Sequence, residues 1–217
     1  MAVTAPGSRR QSFGEELANS ITHGVAALAV LCLMPPMAIR AHGTGTTADV
    51  AGASIFCIGL FLMFLMSALY HAMEPESRHK KIFKILDHIF IYVAIAGTYT
   101  PLVLRVIGGW SAAAILVLQW AMVLFGILYK SLVRRSMPKI SMTLYLVMGW
   151  TVVLVLPSFY RNADPALFWL IVAGGVCYSL GAVFYAMKNI RYHHMIWHLF
   201  VFAGAGCHFA GIWGFLY

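Results

Sequence analysis

Two histidines, His194 and His198, stand four residues apart at the mouth of the last apolar segment of the chain. On a helix that spacing puts both imidazoles on one face, about one turn apart, which suits two nitrogen ligands on one metal ion. His71 closes another apolar segment, with Ser67 one turn before it on the same face, and Asp87 opens a third. Three imidazoles with one open position form a catalytic zinc set, because zinc prefers four ligands and neutral imidazole suits it. Water in the open position loses a proton near neutral pH and becomes a nucleophile. Soluble zincins carry their general base inside a His-Glu-x-x-His helix. Here the segment reads His194-Met195-Ile196-Trp197-His198, so the base has to come from elsewhere. Asp87 is the expected base, as the acidic residue assigned within an apolar segment at the matching depth, and Ser67 is expected to hydrogen-bond the water or an oxyanion. The expected site is therefore His71, His194 and His198 on Zn2+, with Asp87 and Ser67 as catalytic groups.

Other histidines rank lower. His23 and His88 are secondary candidates; His88 lies about 100° round the helix from Asp87, so the two should not face one point. His208 is ten residues past His198, about 15 Å farther along a helix, and is expected to make a buried hydrogen bond. His193 is expected to face the loop or the headgroups.

The elements that must position these groups follow from composition. Of 217 residues, 61% are hydrophobic and 10% are charged, against about 45–50% and 25% in soluble domains. A span of the hydrocarbon core takes about 20 apolar residues. Seven segments qualify: 20–40, 51–73, 87–106, 110–129, 140–159, 166–187 and 194–216. Barrel strands would alternate in character over about ten residues, whereas these runs are twice as long and apolar throughout. The expected fold is an all-α seven-helix membrane bundle, residues 13–217, preceded by a flexible basic tail, residues 1–12. Pro35-Pro36 should kink the first helix or end it early.

The net charge of +8 does not point to nucleic acid once its distribution is read. If seven spans alternate, twelve of the fifteen lysines and arginines fall on one side, leaving Arg40, Arg105 and Arg161 on the other. That is a positive-inside bias, with the N-terminus cytoplasmic and Tyr217 outside, in the cell inner (plasma) membrane. This threading carries Ser67, His71, Asp87, His194 and His198, with Asn19, Thr22 and His23, to one layer near the cytoplasmic face. Ionisable groups in membrane helices are costly and mark function by default.

The remaining features read as structure. Cys32, Cys57, Cys177 and Cys207 form no Cys-x-x-Cys pattern and are expected as buried free thiols. Gly206, Ala210 and Gly214 make a small-residue stripe that would let another helix approach closely. Thr98-Tyr99-Thr100-Pro101 should bend the third helix. Trp110, Trp150, Trp169 and Trp213 fit interface anchoring.

These motifs, in order, resemble the hemolysin III branch of the progestin and adipoQ receptor (PAQR) family. The resemblance rests on Glu16-x-x-Asn19-x-x-Thr22-His23-Gly24, Ser67-x-x-x-His71, Asp87-His88, Gly97-Thr98-Tyr99-Thr100-Pro101, and His194-x-x-x-His198 followed by His208-Phe209. It implies an intramembrane zinc site at Ser67, His71, Asp87, His194 and His198. It also implies hydrolysis of lipid amides, as in the eukaryotic receptors and related ceramidases, and a role in membrane lipid and energy homeostasis, as in bacterial members. The leading expectation is a zinc-dependent intramembrane hydrolase of a lipid amide or ester, with membrane lipids as partners. One alternative is a non-catalytic sensor of membrane state with a structural zinc. The other is a cytolytic pore, for which the spans lack a continuous polar stripe.

Overall fold

The computed structural model describes residues 11–133 and 138–217. Among these, seven helices are long and apolar enough to cross a membrane. The elements are α1 (Phe13–Thr44), α2 (Thr47–Ala72), α3 (Arg78–Leu102), α4 (Gly109–Leu132), α5 (Pro138–Gly149), α6 (Leu156–Asn162), α7 (Pro165–Ala186) and α8 (His193–Gly211). The fifth span is α5 and α6 joined by a 3-10 stretch, Trp150–Val155. No strand occurs among the described residues. Residues 1–10 of the expected basic tail lie outside them.

Two helices start well before their apolar runs, and the reason is local. Ser12 Oγ accepts from Glu15 N (3.3 Å) while Glu15 Oε2 accepts from Ser12 N (2.8 Å), a reciprocal cap that starts α1 at Phe13. Ser77 Oγ accepts from Lys80 N (3.0 Å) and starts α3 at Arg78. Asp87 therefore sits more than two turns inside α3, not at its mouth. Glu15 and Glu16 lie within α1 and Asp49 within α2, so Asp87 is one of several acidic residues on the spanning helices.

α1 also runs through Pro35 and Pro36 to Thr44, so the expected early end does not occur. In hydrocarbon, leaving the helix would strand more backbone groups than two prolines do. After Pro101, α3 widens into a π turn, Val103–Ile107. Gly108 and Gly109 then take left-handed φ values of 63° and 58° to enter α4, a conformation that favours glycine. Within the Thr98–Pro101 motif the threonines bond to their own helix and Tyr99 ties α3 to the fifth span. Thr98 and Thr100 donate to Ala94 O and Ala96 O (2.8 Å each). The Tyr99 hydroxyl donates to Gly149 O (2.7 Å) and accepts from Val152 N (2.8 Å). It thereby satisfies backbone groups freed where α5 breaks.

α2 packs between α1 and α3, α4 packs on α3, α7 pairs with α8, and α1 closes against α8. The α2–α3 seam is built on glycine. A Cβ on Gly97 would lie 3.1 Å from Ile55 O, on Gly59 3.2 Å from Val93 O, and on Gly52 3.1 Å from Pro101 Cα. These are backbone atoms and cannot swing aside. Gly97→Val should therefore force α2 and α3 apart, costing about 1–3 kcal/mol. Thermal unfolding in detergent reads this as a lowered midpoint; an unchanged midpoint would contradict the packing argument.

The stripe expected on α8 does not serve this purpose. A Cβ on Gly206 or Gly214 meets nothing within 4 Å, and Gly206, Ala210 and Gly214 are exposed. Gly204 makes the close approach instead, its Cβ position 3.1 Å from Gly174 O. The inward stripe of α8 is His198, Val201 and Ala205, continued by Ile212 just past its end, and Gly204 borders it. The cysteines are free, but only Cys57 is buried; Cys32 is exposed on α1. Trp110 and Trp169 are 85% and 63% exposed, open to lipid.

Candidate metal centre

The chain delivers His71 from the last turn of α2, and His194 and His198 from the first two turns of α8. Their ligand nitrogens all lie within 4.8 Å of one another. His71 Nε2 and His194 Nε2 are 3.2 Å apart, and the ring centroids of the three pairs are 4.6–5.1 Å apart. His71 and His198 are 4% and 1% exposed. This is the trio that spacing and threading bring together in the sequence.

The outer nitrogens show that the residues fit a metal ion. His71 Nδ1 faces Glu16 Oε2 at 2.7 Å, and His198 Nδ1 faces Asn19 O at 3.2 Å. A carboxylate and a carbonyl only accept, so each Nδ1 carries the proton and donates it. That leaves the Nε2 lone pair of a neutral ring turned inward, the tautomer a metal requires. Two nitrogens each about 2.0–2.1 Å from a tetrahedral zinc lie roughly 3.3 Å apart, close to the observed His71–His194 separation.

Ser67 is 2% exposed and one turn before His71 on α2. The Asp87 side chain is 14% exposed and 3.4 Å from His88 Nδ1 through Oδ2. His88 Nδ1 is closer to Lys84 O, at 2.6 Å, so its proton goes to that carbonyl and the Asp87 contact is long for a hydrogen bond. The Tyr70 ring is 4.6 Å from that of His71 and the Tyr185 ring 5.6 Å from that of His194. Asp87 makes no direct contact with the trio among the described residues.

His23 is buried and stacks on His198, centroids 3.5 Å apart and planes 6° apart. It is not part of the three-nitrogen cluster. His208 Nε2 donates to Ile171 O at 3.1 Å, the hydrogen bond expected of it, though only partly buried. His193 Nδ1 faces Ile190 O in the preceding loop at 3.2 Å.

The sequence reading missed Glu16 and the Asn19 carbonyl as partners of the ligands. The signal was present in Ser12-x-x-Glu15, a capping-box spacing that starts the first helix seven residues earlier than its apolar run.

These features define a class: a multi-pass membrane protein, helical throughout its described spans, with a largely buried three-imidazole site near the end of the bundle where α1 begins. The chain belongs to the family described as Haemolysin-III related, whose sequence model matches residues 11–209. It is 36% identical over 195 residues to Hemolysin-3 of Bacillus cereus, covering 90% of this chain and 89% of that protein. It is 37% identical over 195 residues to the Hemolysin-3 homolog of Bacillus subtilis (strain 168), covering 90% and 91%. It is also 33% identical over 171 residues to the monocyte to macrophage differentiation factor of Homo sapiens, covering 76% and 70%. The resemblance read from the motifs holds.

Proposed function

We propose that this protein is a zinc-dependent intramembrane hydrolase acting on a lipid amide or ester, in membrane lipid homeostasis. The observation that carries the reading is the trio His71, His194 and His198, two of them buried and His194 partly so, with three ligand nitrogens within 4.8 Å of one another, the number of protein ligands that a catalytic zinc would take. Bound zinc supplies Lewis acidity and lowers the pKa of water toward neutrality.

The chain's own residues have separate tasks. The three imidazoles hold the ion, and their outer contacts hold the imidazoles. Asp87 accepts the proton of the attacking water and passes it to the leaving amine or alcohol. Glu16 is not suited to that task, because its two oxygens are engaged by His71 and Lys80, whereas the contact of Asp87 among the described residues is the long one to His88. Ser67 donates to the oxygen of the scissile carbonyl as charge develops there. The lipid enters between spans with its acyl chain in the bilayer. The twelve-to-three division of basic residues supports a site end that faces the cytoplasm.

The test is metal analysis joined to turnover. Protein purified without added metal and reconstituted with phospholipid and N-acyl sphingoid lipids should carry one zinc per chain and release fatty acid slowly. Chelation should stop release and added zinc restore it. Release that survives complete removal of metal would sink the proposal.

One observation favours a second reading, a non-catalytic zinc tie in a sensor of membrane state. The trio joins α2 to α8, which pack on α1 rather than mainly on each other. Stoichiometric zinc without release from any lipid in the panel would support that tie.

A further inference from the structure

We infer that the first two turns of α1 form the orienting shell of the metal centre, with Glu16 as the positioning residue that sets His71. The inference rests on the metal-binding part of the reading above and not on hydrolysis. α1 contributes none of the three ligands, yet it touches the back of two of them and the start of the helix that carries the third. Glu16 Oε2 takes the Nδ1 proton of His71 at 2.7 Å. One turn on, Asn19 O takes the Nδ1 proton of His198 at 3.2 Å. Glu15 Oε1 accepts from Tyr192 N at 3.1 Å, and Tyr192 is the left-handed residue, φ 59°, from which α8 departs two positions before His194.

The Glu16 carboxylate is itself fixed. Its Oε1 accepts from Lys80 Nζ at 2.8 Å. That ammonium also reaches Met73 O at 3.3 Å and lies 4.9 Å from the centre of the Tyr70 ring. The chain Lys80–Glu16–His71 thus runs from the start of α3 through α1 to a ligand on α2. A carboxylate behind a ligating imidazole fixes ring and tautomer and raises the basicity of the inner nitrogen; losing such a partner lowers metal affinity by about 10- to 100-fold. An ion pair that merely fastens α1 to α3 would leave metal affinity unchanged.

Zinc affinity of the full chain in detergent, measured by competition with a chromophoric chelator, separates these roles. Glu16→Gln should bind zinc about 10- to 100-fold more weakly than wild type, and Glu16→Ala more weakly still. Circular dichroism and detergent gel filtration of the metal-free proteins report whether each is folded. Should the Glu16 variants fail to fold, Lys80→Met, which leaves the carboxylate in place but loosens it, should weaken zinc by about tenfold. Wild-type affinity in a folded Glu16→Gln or Lys80→Met protein overturns the inference. Absence of zinc from the wild type instead removes the metal reading beneath it.

Discussion

His198→Ala is expected to leave the purified protein nearly free of zinc and without lipid hydrolysis. Structural zinc sites of four ligands are worth about 10–16 kcal/mol, so one ligand accounts for roughly 3 kcal/mol, about a hundredfold in affinity. His71→Ala and His194→Ala should behave alike, since the three nitrogens form one cluster. His198 is also fully buried, stacked on His23 and bonded to Asn19 O, so the loss has a packing component that must be separated from the metal. His208→Ala supplies the comparison. It removes an imidazole from the same helix, well away from the trio and bonded to Ile171 O. It should lower thermal stability while leaving zinc content at the wild-type level. Zinc at full stoichiometry in all three ligand variants would remove the metal centre from these residues.

The second large effect is expected at Asp87. Asp87→Asn keeps the shape of the side chain and removes its capacity to take a proton. If Asp87 is the general base, fatty-acid release should fall by about 10²- to 10⁴-fold. Zinc content should not change, because Asp87 makes no direct contact with the trio among the described residues. That separation of turnover from metal is the signature sought, and it differs from Glu16→Gln, which should lose metal. Full turnover in Asp87→Asn would end the base assignment and return attention to the sensor reading.

The trio was legible because its signal is local spacing plus threading. His194 and His198 share a helix face by periodicity, and the distribution of lysine and arginine decides which ends of the spans lie together. Contact between His71 and His194 then follows from depth and one short lateral step. Asp87 was legible in depth but not in azimuth. Charge counting says how far along the bundle a residue sits and is silent about which neighbour it faces. The structure gives it a long contact to His88 and none to the trio among the described residues. Glu16 was obscured for a different reason: an apolar window marks where a helix enters hydrocarbon, whereas the Ser12 cap marks where the helix begins. The stripe on α8 failed similarly. Small residues at helical spacing show that close packing is feasible on one face, and the rotation of the helix decides whether that face is used.

The residue order alone thus determined that the chain crosses a membrane seven times, and which histidines share a level, because hydrophobic length and charge placement act along one dimension. Tertiary structure decided the rest: that α1, which carries no ligand, backs two of the imidazoles, and that Glu16 rather than Asp87 touches them. Those outcomes depend on helix rotation and packing order, set by interdigitation of side chains from segments distant in the chain, and no local period encodes them.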